Sequence, residues 1–526
     1  MEALEVIVLI GAVIVVGAAI APRLRMPTPL LMLLLGVAVG FIPQVQHVQL
    51  PSEAVLVLFL PALLFWESLT TSLREIRRDL RGILLLSTLL VVATAFGVAG
   101  IATALGLTWG AALILGAALA PTDATAVGSM ATSLPHRNLT VLRAESLMND
   151  GTALVIFSIA IGAGVSQIDY TGWQITGLVA LAYLGGGLIG AAAGWGGTLL
   201  LRRLHEPIAN NAALVFIPFA AFLLAELVGA SGVIAVVVAG LALSQSGPRV
   251  STPQSRQQTF SFWSLTTFLL NNALFVLVGI EVHVAAANVA GDQLGPLLLL
   301  TVLAWIAVLV IRFVFQIVSI SLIRLLDRRP VQRTRRMSHR ARVVSTTAGF
   351  RGAVSLAVAL AVPTVLASGE PFPGRDEIVF VTAGVVLLTL LVQGLVLPLV
   401  IRWATFAPDT TFDDELARAE AEAADDAIAH LPEVAARLKI GDDVRDRVAE
   451  LYEEHRAVLS PETDDSETLR EQDRQAVALR LGLLERKRDV MIALRDDGTI
   501  SDTALRTLQT RLDREALRLT QPDILE

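Results

Sequence analysis

The 526-residue chain is 54% hydrophobic and 17% charged, with a mean hydropathy of +0.65, more apolar surface than a water-soluble protein of this length can hide. It has no cysteine, which excludes disulfides, thiolate catalysis and cysteine-ligated metal clusters. The net charge of −7 is unevenly split: 24 basic against 18 acidic side chains give +6 in residues 1–402, and 17 against 30 give −13 in residues 403–526, a balance that argues against nucleic acid or an anionic lipid surface as the partner of the second part.

Two domains follow, an all-α polytopic membrane domain over 1–402 and a soluble helical tail over 403–526. The first apolar run, 3 to 21, has only Met1 and Glu2 before it and no basic segment, so it reads as a retained helix and not as a signal peptide. Further runs fall near 28–43, 53–70, 81–106, 109–133, 139–165, 171–201, 212–229, 232–245, 260–282, 295–325, 343–367 and 376–402, which makes thirteen spans. Several are shorter than the roughly 20 residues of a perpendicular crossing, which predicts broken or incomplete helices. Loop charge tests the count independently. Alternate loops carry Arg23 and Arg25, then Arg74, Arg77, Arg78 and Arg81, then Arg137, Arg202 and Arg203, Arg249 and Arg256, and the stretch from Arg328 to Arg342; the intervening loops carry only Arg375. The positive-inside rule then puts the amino terminus outside and the tail in the cytoplasm.

Two spans contain breaks. In the fifth, Ala120-Pro121-Thr122-Asp123-Ala124 places a proline mid-span, removing one helical hydrogen bond and freeing a carbonyl. In the twelfth, Gly349-Phe350-Arg351-Gly352 sets two glycines around an arginine. The breaks are seven helices apart, and an odd separation inverts direction. Helices 1–6 and 8–13 are therefore expected to be inverted repeats whose broken elements cross where transporters bind their ions.

The sixth span carries Glu145-Ser146-Leu147-Met148-Asn149-Asp150-Gly151 inside an apolar run. A carboxylate at bilayer depth is costly and marks an ion path or proton relay by default. Ser146 and Asp150 are i and i+4, on one face, so a hydroxyl and a carboxylate oxygen can converge on a small cation. Glu145 points about 140° away and needs its own partner, for which Arg351 is the expected choice. The membrane domain has no lysine, so a buried cation there is an arginine, a fixed charge that does not give up its proton. Asp150 can hold either a proton or a metal ion, and competition for one carboxylate, coupled to a cavity that opens to alternate sides, is exchange.

Pro121-Thr122-Asp123, the Glu145–Gly151 stretch and Gly349-Phe350-Arg351-Gly352-Ala353-Val354-Ser355-Leu356-Ala357 resemble three signatures of the monovalent cation/proton antiporters, sodium/proton exchanger branch, over roughly residues 1–402. Phe275-Val276-Leu277-Val278-Gly279-Ile280-Glu281 is a weaker match to a glycine-bearing segment of that family. The resemblance implies Asp150 as the ion- and proton-binding carboxylate, Ser146 as a hydroxyl ligand, Asp123 in the same site and Thr122 offering its backbone carbonyl. It implies a structural ion pair between Glu145 and Arg351. Asn149 stands where the family's electrogenic branch has a second aspartate, so the resemblance is to the electroneutral branch. Glu67, near the end of the third span, is a further site candidate or lies at the cytoplasmic funnel. A homodimer in the plasma or inner membrane is implied as well.

Arg312 is read as structural and His283 as a loop residue. In the tail, Ile440, Val444, Val448 and Leu451, and later Leu479, Leu483 and Leu484, recur at helical spacing, which fits a bundle or a dimeric coiled coil of regulatory or dimerising role. The expected activity is Na+ or Li+ exchange for H+, with no cofactor, no enzymatic reaction and no transition metal. A K+/H+ antiporter of the same architecture is the nearest alternative, and a cation channel the next, distinguished by flux without proton coupling. An intramembrane aspartyl protease is disfavoured because neither Asp123 nor Asp150 has the flanking residues of such enzymes.

Overall fold

The computed structural model describes residues 2–24, 26–42, 52–124, 134–166, 171–204, 206–288, 293–326, 338–366, 368–406, 411–459, 466–497, 499 and 502–520. Arg25, the arginines within 327–337 and the second half of the fifth span, 125–133, lie outside these. The chain divides into two units, Met1–Ala407 and Pro408–Glu526.

In lipid an apolar run has no hydrogen-bond partner but itself, and helix is the outcome. The first unit begins with α1 (Glu2–Leu24), α2 (Thr28–Gly40) and α3 (Ser52–Thr70). α4 (Leu73–Leu84) continues through a π turn, Leu85–Leu89, into α5 (Leu90–Ala104), and α6 (Trp109–Leu119) stops at the first break. α7 (His136–Ser166) follows, then α8 (Gly172–Ala180), which runs through a second π turn, Leu181–Gly185, into α9 (Gly186–Arg203). α10 (Pro207–Leu227), α11 (Gly232–Val250), α12 (Pro253–Asn288) and α13 (Leu294–Leu326) come next. The second break separates α14 (His339–Thr347) from α15 (Ala353–Leu360), and α16 (Arg375–Leu388) passes through a third π turn, Thr389–Gln393, into α17 (Gly394–Ala404).

Among the described residues, eight helical stretches are long and apolar enough to cross a membrane, and four shorter apolar helices, Thr28–Gly40, Val57–Thr70, Trp109–Leu119 and Gly232–Gly247, stand beside them. With the interrupted α14–α15 pair, each of the thirteen expected spans coincides at least in part with helix. The Phe275–Glu281 segment has a packing role. A side chain at Gly279 would run into the backbone of α2 at Leu33 and Gly36, and one at Gly36 would run into the Val276 carbonyl. Paired small residues let helices approach at backbone distance where lipid supplies no hydrophobic drive between them.

The second unit holds α18 (Thr411–Leu438), α19 (Asp442–Leu459), α20 (Ser466–Asp496) and α21 (Asp502–Thr520). α18 packs on α19 and α20 on α21. Its interior is thin: Ala424, Ala435, Leu484, Leu505 and Leu512 are buried, whereas Ile440, Val444, Leu451, Leu479 and Leu483 are exposed. Of the apolar positions expected to pack at helical spacing, most face outward.

Candidate functional site

The two breaks meet. Pro121 has no N–H, so the chain after α6 leaves the helix, and the freed Asp123 N–H donates to the Phe350 carbonyl of the second break at 2.8 Å. The side chains on either side complete the crossing. Arg351, 1% exposed, donates from Nε to the Leu119 carbonyl at 3.0 Å and from Nη1 to the Gly349 carbonyl. Leu119 is the last residue of α6, so a guanidinium sits at the negative end of a helix whose carbonyls have lost their partners. At the opposite pole, the carboxylate of Asp123 lies against Gly352, the residue that caps the start of α15; any side chain at 352 would occupy the Asp123 carboxylate position. Negative charge at a helix start and positive charge at a helix end both match the backbone dipoles.

α7 runs beside this crossing and presents Glu145, Ser146, Asn149 and Asp150, all buried. Ser146 Oγ donates to the Thr122 carbonyl at 2.7 Å and accepts from Ala124 N at 3.4 Å. Asn149 Nδ2 donates to Thr122 Oγ1 at 2.7 Å. The sequence-predicted ligands Thr122, Ser146 and Asn149 are therefore together, with the Thr122 carbonyl already holding the Ser146 hydroxyl. Asp150 is 2% exposed. Its Oδ1, Asn149 Oδ1 and Glu67 Oε1 are buried and find no donor among the described residues. The charges of Glu67 and Asp123 both act on Asp150, and that of Arg143 acts on Glu67. Among the described residues no three His, Asp or Glu side chains form a metal-holding cluster, so a cation here would complete its shell with hydroxyl, carbonyl or water oxygens, as hard cations accept.

One expectation is corrected. Glu145 does not pair with Arg351. Its two carboxylate oxygens accept from Nη1 and Nη2 of Arg312 on α13, the second at 3.0 Å. Arg312 Nε also donates to the Ser345 carbonyl at 3.0 Å, and Gln316 Nε2 donates to Ser345 Oγ at 2.9 Å. The pair thus ties α7 to α14 through α13. Arg351 instead turns two of its donors to the carbonyls of Leu119 and Gly349 at the breaks. The two-pronged guanidinium–carboxylate geometry is the strong form of such a pair, and it compensates the burial of both charges.

Sequence reasoning did not find Arg143, Gln316 or the three π turns. The turns carry no sequence signal, yet each touches the site elements. Leu85–Leu89 packs on α7, Tyr183 Oη in the second donates to Thr152 Oγ1 of α7 at 2.7 Å, and Thr389 Oγ1 in the third accepts from the Arg351 N–H at 3.5 Å. Glu67 is flanked by an aromatic cluster in which Trp66 stacks on Trp263 at 6.2 Å.

The model of the transmembrane sodium/hydrogen exchanger family matches residues 10–403. A protein of Mycobacterium tuberculosis named as an uncharacterised Na+/H+ exchanger is 42% identical over 99% of this chain and 96% of its own length. The Na+/H+ antiporter ApNhaP of Aphanothece halophytica is 32% identical over 72% of this chain and 69% of its own. A sodium, potassium, lithium and rubidium/H+ antiporter of Bacillus subtilis is 31% identical over 71% of this chain and 57% of its own. In fold, the sodium proton antiporter MjNhaP1 of Methanocaldococcus jannaschii superposes with a TM-score of 0.61 over 76% of this chain and 99% of that one, at 19% identity.

Proposed function

Because this chain belongs to the sodium/hydrogen exchanger family, a family of membrane transporters, we propose that it exchanges one Na+ for one H+ by alternating access, with both ions competing for Asp150. The observation that carries this reading is a surplus of acceptors: buried oxygens of Asp150, Asn149 and Glu67 lack donors among the described residues. Each unsatisfied buried oxygen is costly. A cation or a proton at Asp150 relieves the cost, so the site is stable when loaded and unfavourable when empty, which couples occupancy to crossing.

The roles divide by chemistry. Asp150 binds, and Asn149 contributes a neutral oxygen. Ser146 and the Thr122 carbonyl join the cation shell once the bond between them opens. Asp123 stays at the start of α15 and adds negative potential. Glu67 acts on the approach to Asp150, with Arg143 as its counter-charge. Arg351 and the Arg312–Glu145 pair are fixed charges that hold the breaks in place. The amino terminus lies outside and the tail in the cytoplasm of the cell membrane, where the protein is a homodimer, and residues 403–526 have a regulatory or dimerising role.

K+ is the second reading, favoured by the Bacillus subtilis relative whose name includes potassium, sodium, lithium and rubidium. The test is proton flux in everted vesicles with an acid lumen, for wild type and Asp150→Asn. Addition of Na+ or Li+ is expected to alkalinise the lumen in wild type and to do nothing in the mutant. A response to K+ alone changes the substrate, cation flux without proton movement makes the protein a channel, and full activity in the mutant removes Asp150 from the mechanism.

A further inference from the structure

Glu281, which ends the Phe275–Glu281 stretch, and Arg375, the one arginine of the intervening loops, meet on the side that loop charge places outside. Arg375 Nη1 stands 3.9 Å from Glu281 Oε2 and 3.8 Å from Asp376 Oδ1, with the Arg375 and Glu281 side chains 17% and 26% exposed. Neither separation is a hydrogen bond. The guanidinium attracts both acids by charge alone, unlike that of Arg312, which grips Glu145 with two prongs.

The two partners belong to different packing groups. Glu281 is on α12, which packs on α1 and α2, and it is fixed to α2 from both sides. Two residues before it, Gly279 leaves no room for a side chain against Leu33 and Gly36; two residues after it, His283 lies on Gly40 and its ring meets that of Phe41 at 4.1 Å. Arg375 starts α16, which packs on α6, α13 and α15. Its Nε donates to the Val362 carbonyl, just past the end of α15, at 3.1 Å. At the other end of α16, Thr389 Oγ1 lies 3.5 Å from both the N and the O of Arg351, just before α15. α15 is thus held at both ends, and it begins at Gly352 against the Asp123 carboxylate. Arg375 rides with the ion site, and Glu281 rides with α2.

Beside the pair the seam is dry. Ile280 of α12, Leu360 and Val362 at the end of α15, and Phe372 and Ile378 at the start of α16 are buried in one apolar cluster. An ion can pass along this seam between the outside and the site only if α12 parts from α15 and α16, and that movement parts Glu281 from Arg375. We propose that Glu281 and Arg375 form the outer latch of the exchange cycle, which keeps the site from facing outward while it is closed. A contact held by charge alone suits a bond made and broken in every turnover, whereas a two-pronged pair would trap one state. Arg375 is a positioning residue here, acting on the site through α15. The proposal rests on the reading of exchange at Asp150 and on the orientation given above.

The test compares Na+-evoked proton flux in right-side-out and everted vesicles, which gives an apparent KM for Na+ at the outer and at the cytoplasmic face. Glu281→Gln should favour the outward-facing state and raise the ratio of inner to outer KM by about threefold, and Glu281→Lys should raise it further. Arg375→Lys, which keeps the charge, should move it less. Because native cysteine is absent, Glu281→Cys with Arg375→Cys can be bridged by a bis-methanethiosulfonate reagent added from outside. Exchange should stop and return on reduction, while either single cysteine treated alike keeps exchanging. A merely structural pair would lower yield and rate without moving the KM ratio; that result, or undiminished exchange in the bridged protein, overturns the proposal. A ratio that falls puts the pair on the cytoplasmic side and overturns it equally. If the double-cysteine protein is inactive before bridging, the KM ratios decide. Wild type without Na+-evoked flux removes the exchange reading and the latch together, whereas a wild type that exchanges beside a Glu281→Gln of unchanged ratio removes the latch alone.

Discussion

At the scale of single residues, Asp150 stood out in the sequence because a carboxylate inside an apolar run has so few bland explanations, and its burial with an undonated oxygen agrees with that logic. If proton and cation share it, they obey mass action. The apparent KM for Na+ should rise as pH falls, by about tenfold per unit where the carboxyl is mostly protonated, with maximal rate unchanged; initial rates over a pH series check this, and a pH-independent KM removes the competition. The partner of Glu145 was not legible. Helical geometry said that one was needed and Arg351 was the expected choice, but that Arg312 takes the place depends on where helices seven, thirteen and fourteen sit. Removing one member of such a pair leaves an uncompensated buried charge, so Glu145→Gln should cost about 3–5 kcal/mol. Replacing both, as Glu145→Leu with Arg312→Met, should recover most of that. Thermal unfolding in detergent measures both.

Among elements, hydropathy located the helices because lipid imposes one answer on an apolar run, and Pro121 and the Gly349–Gly352 stretch located the breaks because backbone chemistry does not depend on tertiary context. What fills the breaks did depend on it. No local rule indicates that Arg351 would cap α6 or that Asp123 would lie at the start of α15. The π turns were likewise silent, since any apolar residue tolerates them, although such turns recur at functional sites. The crossing predicts a strict size limit. Gly352→Ala puts a methyl group into the Asp123 carboxylate, with the backbone of both breaks pinned by the bond from Asp123 N to Phe350 O. Loss of transport with little folded protein is expected, comparable to the larger single-residue effects of strain or overpacking, about 3 kcal/mol or more. Size-exclusion profile and flux together report it, and a well-folded, fully active Gly352→Ala would mean that the two breaks are not held in this contact.

For the whole molecule, the question is how much charge moves. Arginine is the only permanent cation in residues 1–402, and Arg312 and Arg351 are held by a carboxylate and by carbonyls, so neither releases a proton during a cycle. Asn149 cannot titrate. If Asp150 alone changes ligand, the loaded site is neutral with Na+ and neutral with H+, and both crossings move the same charge. Exchange should then be insensitive to membrane potential, which is worth about 2.3 kcal/mol per elementary charge at 100 mV and could not go unnoticed. The measurement is Na+-evoked proton flux in vesicles whose potential is set by K+ and valinomycin, compared between zero and about 100 mV of either sign. Equal rates support one-for-one exchange. Unequal rates require a second titrating carboxylate. Glu67 is the first suspect, because its Oε1 also lacks a donor and its charge acts on Asp150. Glu67→Gln should then abolish the voltage dependence while leaving exchange in place, and if voltage dependence survives that change, Asp123 is left as the second carrier.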